Sequence, residues 1–440
     1  MAAALGPSIF PGAQLALGLS GGVDSTALLA ILLDLAPTLR FSLQAVHVNH
    51  GISPNAGRWA EFCADMCRTS QVPFQLETVD IAAHRGLGLE GAARRARYDA
   101  YARLEADFLV LAHHRDDQAE TLLLQLLRGA GVRGLAAMPA LRQMPGGGVK
   151  ILRPLLGSSR ADIEAFAREH GLKWVEDESN ADTGRRRNFL RHEVLPMLDR
   201  EFPAARATVA RAAAHLAEAG ELLDLMAHAD LEESGDADGI DILYLRRLGE
   251  ARAKNLLRYL CEDRGMPALR TAQLDELLRQ LHEARADARV RLAAAGWEFL
   301  RHRGRLYIEP ARRIVGMSFR EAWEGENALP LLELGGALKF KPEERRGLSV
   351  EKLRSAPVTV RLRQGGELLR PDRRRPRRTL KNLFQERGVP PWRRDRLPLL
   401  FCGEDLVAVP GLGDACDFQA EPGEPGLIVT WEPFAQRPAR

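Results

Sequence analysis

Residues 20–25 read Ser-Gly-Gly-Val-Asp-Ser, and residue types in that order suit the binding of an anion. Two adjacent glycines let the backbone approach a phosphate closely and take up conformations closed to other residues. Where such a turn opens a helix, free N–H groups and the positive end of the helix dipole hold the phosphate. No Gly-Lys-Thr or Gly-Lys-Ser is present in it, so it is not a Walker-type loop. The plainer alternative is a tight strand–helix turn capped by Ser20 or Asp24. A second group, Leu111-Ala-His-His-Arg-Asp-Asp-Gln-Ala-Glu-Thr121, gathers two imidazoles and three carboxylates. Asp117 and Glu120 have the spacing of a capping box, and acids in a first helical turn are ordinary. Zinc is a third reading, weakened because adjacent histidines rarely ligate one ion and no cysteine stands near.

Both groups need a strand behind them and a helix ahead. Short apolar runs predict strands at 15–19, 41–48, 74–79, 108–112 and 149–152. Helical patterns fall at 26–35, 57–69, 90–105, 119–127 and 160–170. Strand and helix in alternation imply right-handed crossovers and an α/β, doubly wound, mostly parallel sheet. Ligands of such sheets bind beyond the carboxyl ends of the strands, so the two groups share one rim. Arg94 and Arg97, three apart on one helix, can face the same side. Arg187 and Arg191, four apart, can do likewise.

With 440 residues the chain is too long for one ordinary domain. The texture turns Ala- and Leu-rich from about residue 204, with helical patterns at 204–232, 245–263 and 271–283 and strands at 290–292 and 305–309. The expected layout is an α/β domain over 1–203, a mostly helical domain over 204–312, a connecting and partly β segment over 313–357, and a small α+β domain over 358–440. Composition, 45% hydrophobic and 28% charged, is that of a soluble globular protein. The N-terminal MAAALGPSIFPG lacks the basic and long apolar segments of a secretory signal. Five cysteines at irregular spacing offer no disulfide framework, and Cys63 and Cys67 read as thiols buried on one helix face. A reducing cytoplasm and no membrane partner are expected. Net charge is +3 overall, yet residues 361–396 hold thirteen Arg or Lys against four Asp or Glu. So local a surplus is the footprint of a polyanion partner.

Ser-Gly-Gly-x-Asp-Ser resembles the pyrophosphate loop of the N-type ATP pyrophosphatases, which split ATP between its α and β phosphates. Taken with Val48-Asn49-His50-Gly51 and His-His-x-Asp-Asp-Gln-x-Glu-Thr, it resembles the tRNA(Ile)-lysidine synthetase family. The likeness continues in Glu90-Gly-Ala-Ala-Arg94-Arg-Ala-Arg97-Tyr98, in Arg128-Gly-Ala-Gly-Val-Arg-Gly134-Leu135 and in Glu176-Asp-Glu-Ser-Asn180. It extends through Arg187-Asn188-Phe-Leu-Arg191, Lys381-Asn-Leu-Phe and Gly388-Val-Pro-Pro-Trp-Arg393-Arg-Asp, and is weak only over 204–356.

That resemblance implies a ligase acting on the first anticodon cytidine of an isoleucine tRNA with a CAU anticodon. ATP would adenylate the base, and free L-lysine would then displace AMP. Ser20, Gly21, Gly22, Val23, Asp24 and Ser25 would hold the ATP phosphates, with His50 near the nucleotide. Mg2+ would bridge those phosphates, with Asp24 as its protein-side anchor and no metal-binding cluster of protein groups. Asp117 and Glu120 would grip the lysine amino groups, joined by Arg191. Arg94 and Arg97 would bind the lysine carboxylate or developing charge, or else form a solvated helix face. Arg187 and Arg191 could also clamp phosphate of ATP or of the anticodon loop. Arg373, Arg374, Arg375, Arg377, Arg378, Lys381, Arg393 and Arg394 would contact tRNA phosphates, or form a solvated basic loop; Trp392 could stack on a base or staple the fold, and a Pro-Pro-Trp turn favours the staple. A homodimer is left open. A tRNA thiolase on the same fold is the rival enzyme, but it needs reactive or cluster-binding cysteines, commonly Cys-x-x-Cys, which the chain lacks. An inactive RNA-binding protein is the rival of another class.

Overall fold

The computed structural model describes residues 5–144, 148–178, 182–234, 239–283, 291–311, 316, 318–344 and 346–434. The chain divides into two compact units, Met1–Glu233 and Ser234–Arg440.

The first unit is built on a six-stranded sheet: β1 (Gln14–Gly18), β2 (Ser42–Asn49), β3 (Phe74–Thr78), β4 (Phe108–Val110), β5 (Leu141–Gln143) and β6 (Lys150–Leu152). Their order is β3-β2-β1-β4-β6-β5, parallel throughout except for the antiparallel edge strand β5. Alternation along β1 feeds two cores. Leu15, Leu17 and Leu19 meet one apolar layer and Ala16 the other. Helices α1 (Val23–Leu39), α2 (Ala56–Thr69) and, later in the chain, one at Arg160–Glu169 supply Leu28, Leu32, Cys63, Cys67 and Ile163 to the first layer. Helix α3 (Gly88–Tyr101) supplies Tyr101 to the second. Each such leucine taken out of water contributes about 1.5–3 kcal/mol. The helix side changes because the chain runs from β1 to β2 and β3 on one flank, then crosses to β4 on the other. A right-handed crossover then requires the opposite face. A topological switch point therefore opens between the carboxyl ends of β1 and β4.

The remaining helices of this unit are α4 (Arg115–Leu126), α5 (Val132–Leu135), α6 (Arg160–Glu169), α7 (Arg186–Phe189), α8 (Leu195–Glu201) and α9 (Ala205–Glu233), with a π turn at Leu190–Val194. Two differences from the sequence reading stand out. Helix α4 begins at Arg115 rather than near 119, because His114 caps it. Helix α9, expected to open the middle domain, packs instead along α4 and α5 and belongs to the first unit.

In the second unit, β7 (Ile240–Asp241), β8 (Arg291–Ala294), β9 (Trp297–His302) and β10 (Arg305–Pro310) form an antiparallel sheet in the order β7-β10-β9-β8. With it stand α10 (Ile242–Leu248), α11 (Glu250–Asp263) and α12 (Thr271–Glu283). The single helix expected over 245–263 is broken at Gly249, whose φ of +75° no helix accommodates. Segment 313–357 is no mere connection: its strand Arg320–Trp323 pairs with Val358–Arg361, and Gly336–Glu344 pairs along Pro425–Pro433. The apolar residues Leu338, Phe340, Val360 and Leu400 then share one core. Expected features at 179–180, 290 and 312–313 lie outside the described residues, as does the start of the N-terminal segment. Among the described residues no helix is long and apolar enough to cross a membrane.

Candidate active site

The glycine run and the acidic motif meet at the switch point. A Cβ on Gly18 would fall 2.7 Å from Leu111 Cδ2 and 2.9 Å from the Tyr101 hydroxyl, so glycine lets the ends of β1 and β4 close together. Gly21 has a φ of +86°, and a Cβ there would meet Val175 Cγ2 at 3.0 Å and Cys63 Sγ at 3.1 Å. Its carbonyl accepts from the Val175 N–H at 2.9 Å, and His47 Nδ1 lies 2.9 Å from the Leu19 carbonyl. Ser25 closes the loop on itself: Oγ donates to the Gly22 carbonyl at 3.0 Å and accepts from the Ser20 N–H at 3.2 Å. Helix α1 starts at Val23 with no side-chain cap, which leaves the donors of its first turn for a ligand.

Asp24 sits in that first turn. Oδ1 lies 3.7 Å from His114 Nε2, and Oδ2 lies 3.6 Å from an Arg160 guanidinium nitrogen. Burial pushes its carboxyl above the usual aspartate range, and Oδ1 is buried without a hydrogen-bond donor. A buried carboxylate oxygen lacking a donor is what a cation relieves, so Asp24 fits a divalent ion. No group of three or more His, Cys, Asp or Glu among the described residues could hold a metal. Phosphate oxygens would have to complete the coordination.

Across the switch point His114 is the N-cap of α4. Its Nδ1 accepts from the Asp117 N–H at 3.4 Å, and Asp117 Oδ2 accepts from the His114 N–H at 3.1 Å. The capping box thus joins His114 to Asp117, one turn earlier than the Asp117–Glu120 spacing predicts. Because Nδ1 accepts, the ring proton sits on Nε2, 3.4 Å from Asp117 Oδ2. Gln118 is structural, clamping the Met138 backbone through bonds of 2.7 and 2.8 Å.

Asp117 and Glu120 face two guanidiniums. Arg187 donates to Glu120 at 2.7 Å and to Asp117 at 2.8 Å; Arg191 donates to Glu120 at 2.5 and 3.0 Å and to Asp117 at 3.1 Å. Burial works against the Asp117 charge, but the Arg187 guanidinium and the hydrogen bond from the His114 N–H are among the contacts that outweigh it and hold the carboxyl below the usual range. The two arginines therefore meet carboxylates in this structure, not an open phosphate site.

His113 and His50 lie at the ends of β4 and β2. Burial, with Arg153, Arg187 and Arg94 nearby, pushes His113 down to about 3. Burial, Arg97 and His47 push His50 down to about 4. Both imidazoles are neutral at physiological pH, and both have a buried Nδ1 without a partner. Arg94 is exposed and lies over the Tyr98 ring at 5.2 Å, while Arg97 is half-buried. The charge of Arg94 is felt at His113 and that of Arg97 at His50.

Cys63 and Cys67 are fully buried, and burial pushes their thiols up to about 12 and about 11. Neither is a nucleophile, which removes the footing of sulfur chemistry there.

The basic run of the second unit is largely self-paired. Arg378 forms a two-pronged bond to Glu386 at 2.6 and 2.7 Å, Arg377 reaches Asp417 at 3.2 Å, Arg375 lies 3.7 Å from Asp372 and Arg373 lies 3.8 Å from Glu421. Arg374 and Lys381 are exposed and make no ion pair with a described residue. Arg393 is committed to the fold, donating to Glu309 at 2.5 and 2.8 Å over the Tyr307 ring, and Arg394 donates to the Val389 carbonyl at 2.7 Å. Trp392 packs edge-on against Tyr307 and His302, with ring centres 5.5 and 5.9 Å apart, as a staple does.

His47, His113, His114, Asp116, Arg160 and Arg206 complete the site's surroundings beyond the residues to which the sequence points. The paired histidines stood in the motif. Nothing local marks the two arginines, whose partners are distant in the chain.

Comparison with known proteins agrees with this geometry. A PP-loop domain family matches residues 2–198, a TilS substrate binding domain matches 241–307 and a TilS substrate C-terminal domain matches 358–431. The tRNA(Ile)-lysidine synthase of Nitrosomonas europaea is 43% identical over 96% of this chain and 93% of its own. Those of Aromatoleum aromaticum (42%, over 97% and 99%) and Coxiella burnetii (38%, over 94% and 92%) align as fully. With three domain families in register and identity sustained from end to end, the chain belongs to the tRNA(Ile)-lysidine synthase family.

Proposed function

We propose that this protein uses ATP to convert the first anticodon cytidine of an isoleucine tRNA with a CAU anticodon into lysidine. Codon reading then moves from AUG to AUA. The observation that carries the reading is the meeting, at one switch point, of an uncapped helix start with a buried carboxylate pair.

In the first step the C2 oxygen of the base attacks the α phosphorus and pyrophosphate leaves. The backbone donors of 20–25 hold the phosphates and balance the charge that gathers on the leaving group. Asp24, together with the phosphates, would hold Mg2+, which would supply neutralisation of their charge. His50 and His113, being neutral, line the space without adding charge of their own.

In the second step the lysine ε-amine attacks C2, a C–N bond forms, the C–O bond breaks and AMP departs. Asp117 and Glu120 hold the amino groups. Four ionised side chains, two acids and two arginines, already sum to zero there. An ammonium group therefore enters by displacing a guanidinium, since addition alone would bury an unmatched charge. An acid freed in this way accepts the proton that the amine must lose. Arg94, exposed and with its charge felt at His113, receives the lysine carboxylate.

Asp117→Asn tests the assignment. Lysine-dependent AMP release should disappear while tRNA affinity stays at the wild-type value, measured by filter binding. Unchanged turnover would remove Asp117 and Glu120 from the lysine site.

A further inference from the structure

Asp116 belongs to the acidic motif yet takes no part in the Asp117–Glu120 cluster. Its side chain is only 8% exposed, and each oxygen has one donor. Oδ2 accepts from the Arg160 N–H at 2.9 Å, and Oδ1 accepts from an Arg206 guanidinium nitrogen at 2.8 Å. Arg206, in the first turn of α9, also donates through Nε to Asp199 of α8 at 2.8 Å. One guanidinium thus fastens the start of the long helix to the motif helix. Further along α9, Asp224 pairs with Arg133 of α5, so α9 is tied at one point to the motif helix and at another to the helix that follows it.

The contacts of Asp116 lead to the reacting groups. Its Oδ2 fixes the backbone at the start of α6, and the Arg160 guanidinium there stands 3.6 Å from Asp24. The same oxygen is 3.8 Å from His114 Nδ1, the atom that caps α4 and holds the Asp117 N–H. Without Arg206 a buried carboxylate would keep a single donor and draw on its neighbours for another. The nearest ring nitrogen is His114 Nδ1; to donate, it would have to take the ring proton from Nε2, and it would then no longer accept the Asp117 N–H, which breaks the cap that sets Asp117.

We infer that Arg206 is a positioning residue for this reaction, acting through Asp116 on Asp24 and on the His114–Asp117 cap. It touches neither ATP nor lysine. The inference rests on the reading of Asp24 and Asp117 given above.

The test uses full-length protein and lysidine formation on isoleucine tRNA, with R206A, R206K, D116N and R206A/D116N compared. R206A should lower kcat by about ten- to a hundredfold, the scale of a remote misplacement near 1 Å. KM for lysine should change far less, and R206K should restore part of the rate. The R206A/D116N double variant should be no slower than the slower single variant, because both changes cut one connection. Losses that multiply, or a kcat that falls only as far as the melting temperature does, would overturn the inference. Should R206A fail to fold, R206K and D116N carry the test: both must lower kcat when assayed well below their own melting temperatures, and wild-type rates in both would overturn it. Absence of lysidine with the unaltered protein would instead defeat the proposed function.

Discussion

Glu120 is fully enclosed, and its two oxygens hold the guanidiniums of Arg187 and Arg191 together with Asp117. Glu120→Gln leaves two cations facing one carboxylate and should cost about 3–5 kcal/mol of stability. Urea unfolding would show it as a lower midpoint at unchanged slope; a wild-type midpoint would mean the cluster is not coupled. Asp24 has the opposite sign. Burial raises its pKa, so its ionised form strains the substrate-free fold. Asp24→Asn should therefore raise the neutral-pH unfolding midpoint while weakening ATP binding, a trade seen where function requires a stressed group. Asp116 and Asp117, held below the usual range, contribute stability that is complete above ordinary aspartate values. That contribution fades as pH falls through their lower folded-state values. An acid titration of D116N/D117N should accordingly lose the steep low-pH arm of the wild-type curve.

At the scale of elements, the helix Pro391–Arg394 closes against the β9–β10 hairpin. Arg303 of that hairpin also donates to the Gln385 carbonyl at 2.8 Å. Trp392→Ala should cost about 2 kcal/mol through poorer packing, within the usual range for large-to-small changes at partly buried sites. Arg393→Ala should lower the melting temperature yet leave the salt slope of tRNA binding intact. A reduced slope would return Arg393 to the phosphate-binding set. The clasp also marks where sequence reading stops. Strand β1, the glycine turn and α1 are legible because apolar runs and glycine punctuation act within a few residues. The same holds for β4 and the acidic helix, although its start reads late, since a histidine cap is not a common signal. Arg160 and Arg206 meet Asp116 across 44 and 90 residues, a pairing that only the folded sheet creates. Strands within 313–357 are indistinct because their partners lie at 358–361 and 425–433, so alternation alone is too short to read.

For the whole molecule, the charge surplus of 361–396 is real in sequence but partly neutralised in space by Asp372, Glu386, Asp417 and Glu421. Replacing Arg373, Arg374 and Arg375 by Ala should weaken tRNA binding and flatten its dependence on salt. Each phosphate that is no longer neutralised removes about 0.7–0.9 from the logarithmic slope. An unaltered slope would make the run a passive surface loop. Arginines on phosphates position an RNA without reading it, and the proposed reaction assigns the base chemistry to the switch point of the first unit. Mass spectrometry of the first anticodon nucleotide, after incubation of the tRNA with this protein, ATP and lysine, tests that claim most directly. The account predicts a cytidine heavier by one lysine less one water, formed only when both small substrates are present, with AMP and pyrophosphate released. A cytidine left unchanged, or one that gains mass without lysine, would contradict it.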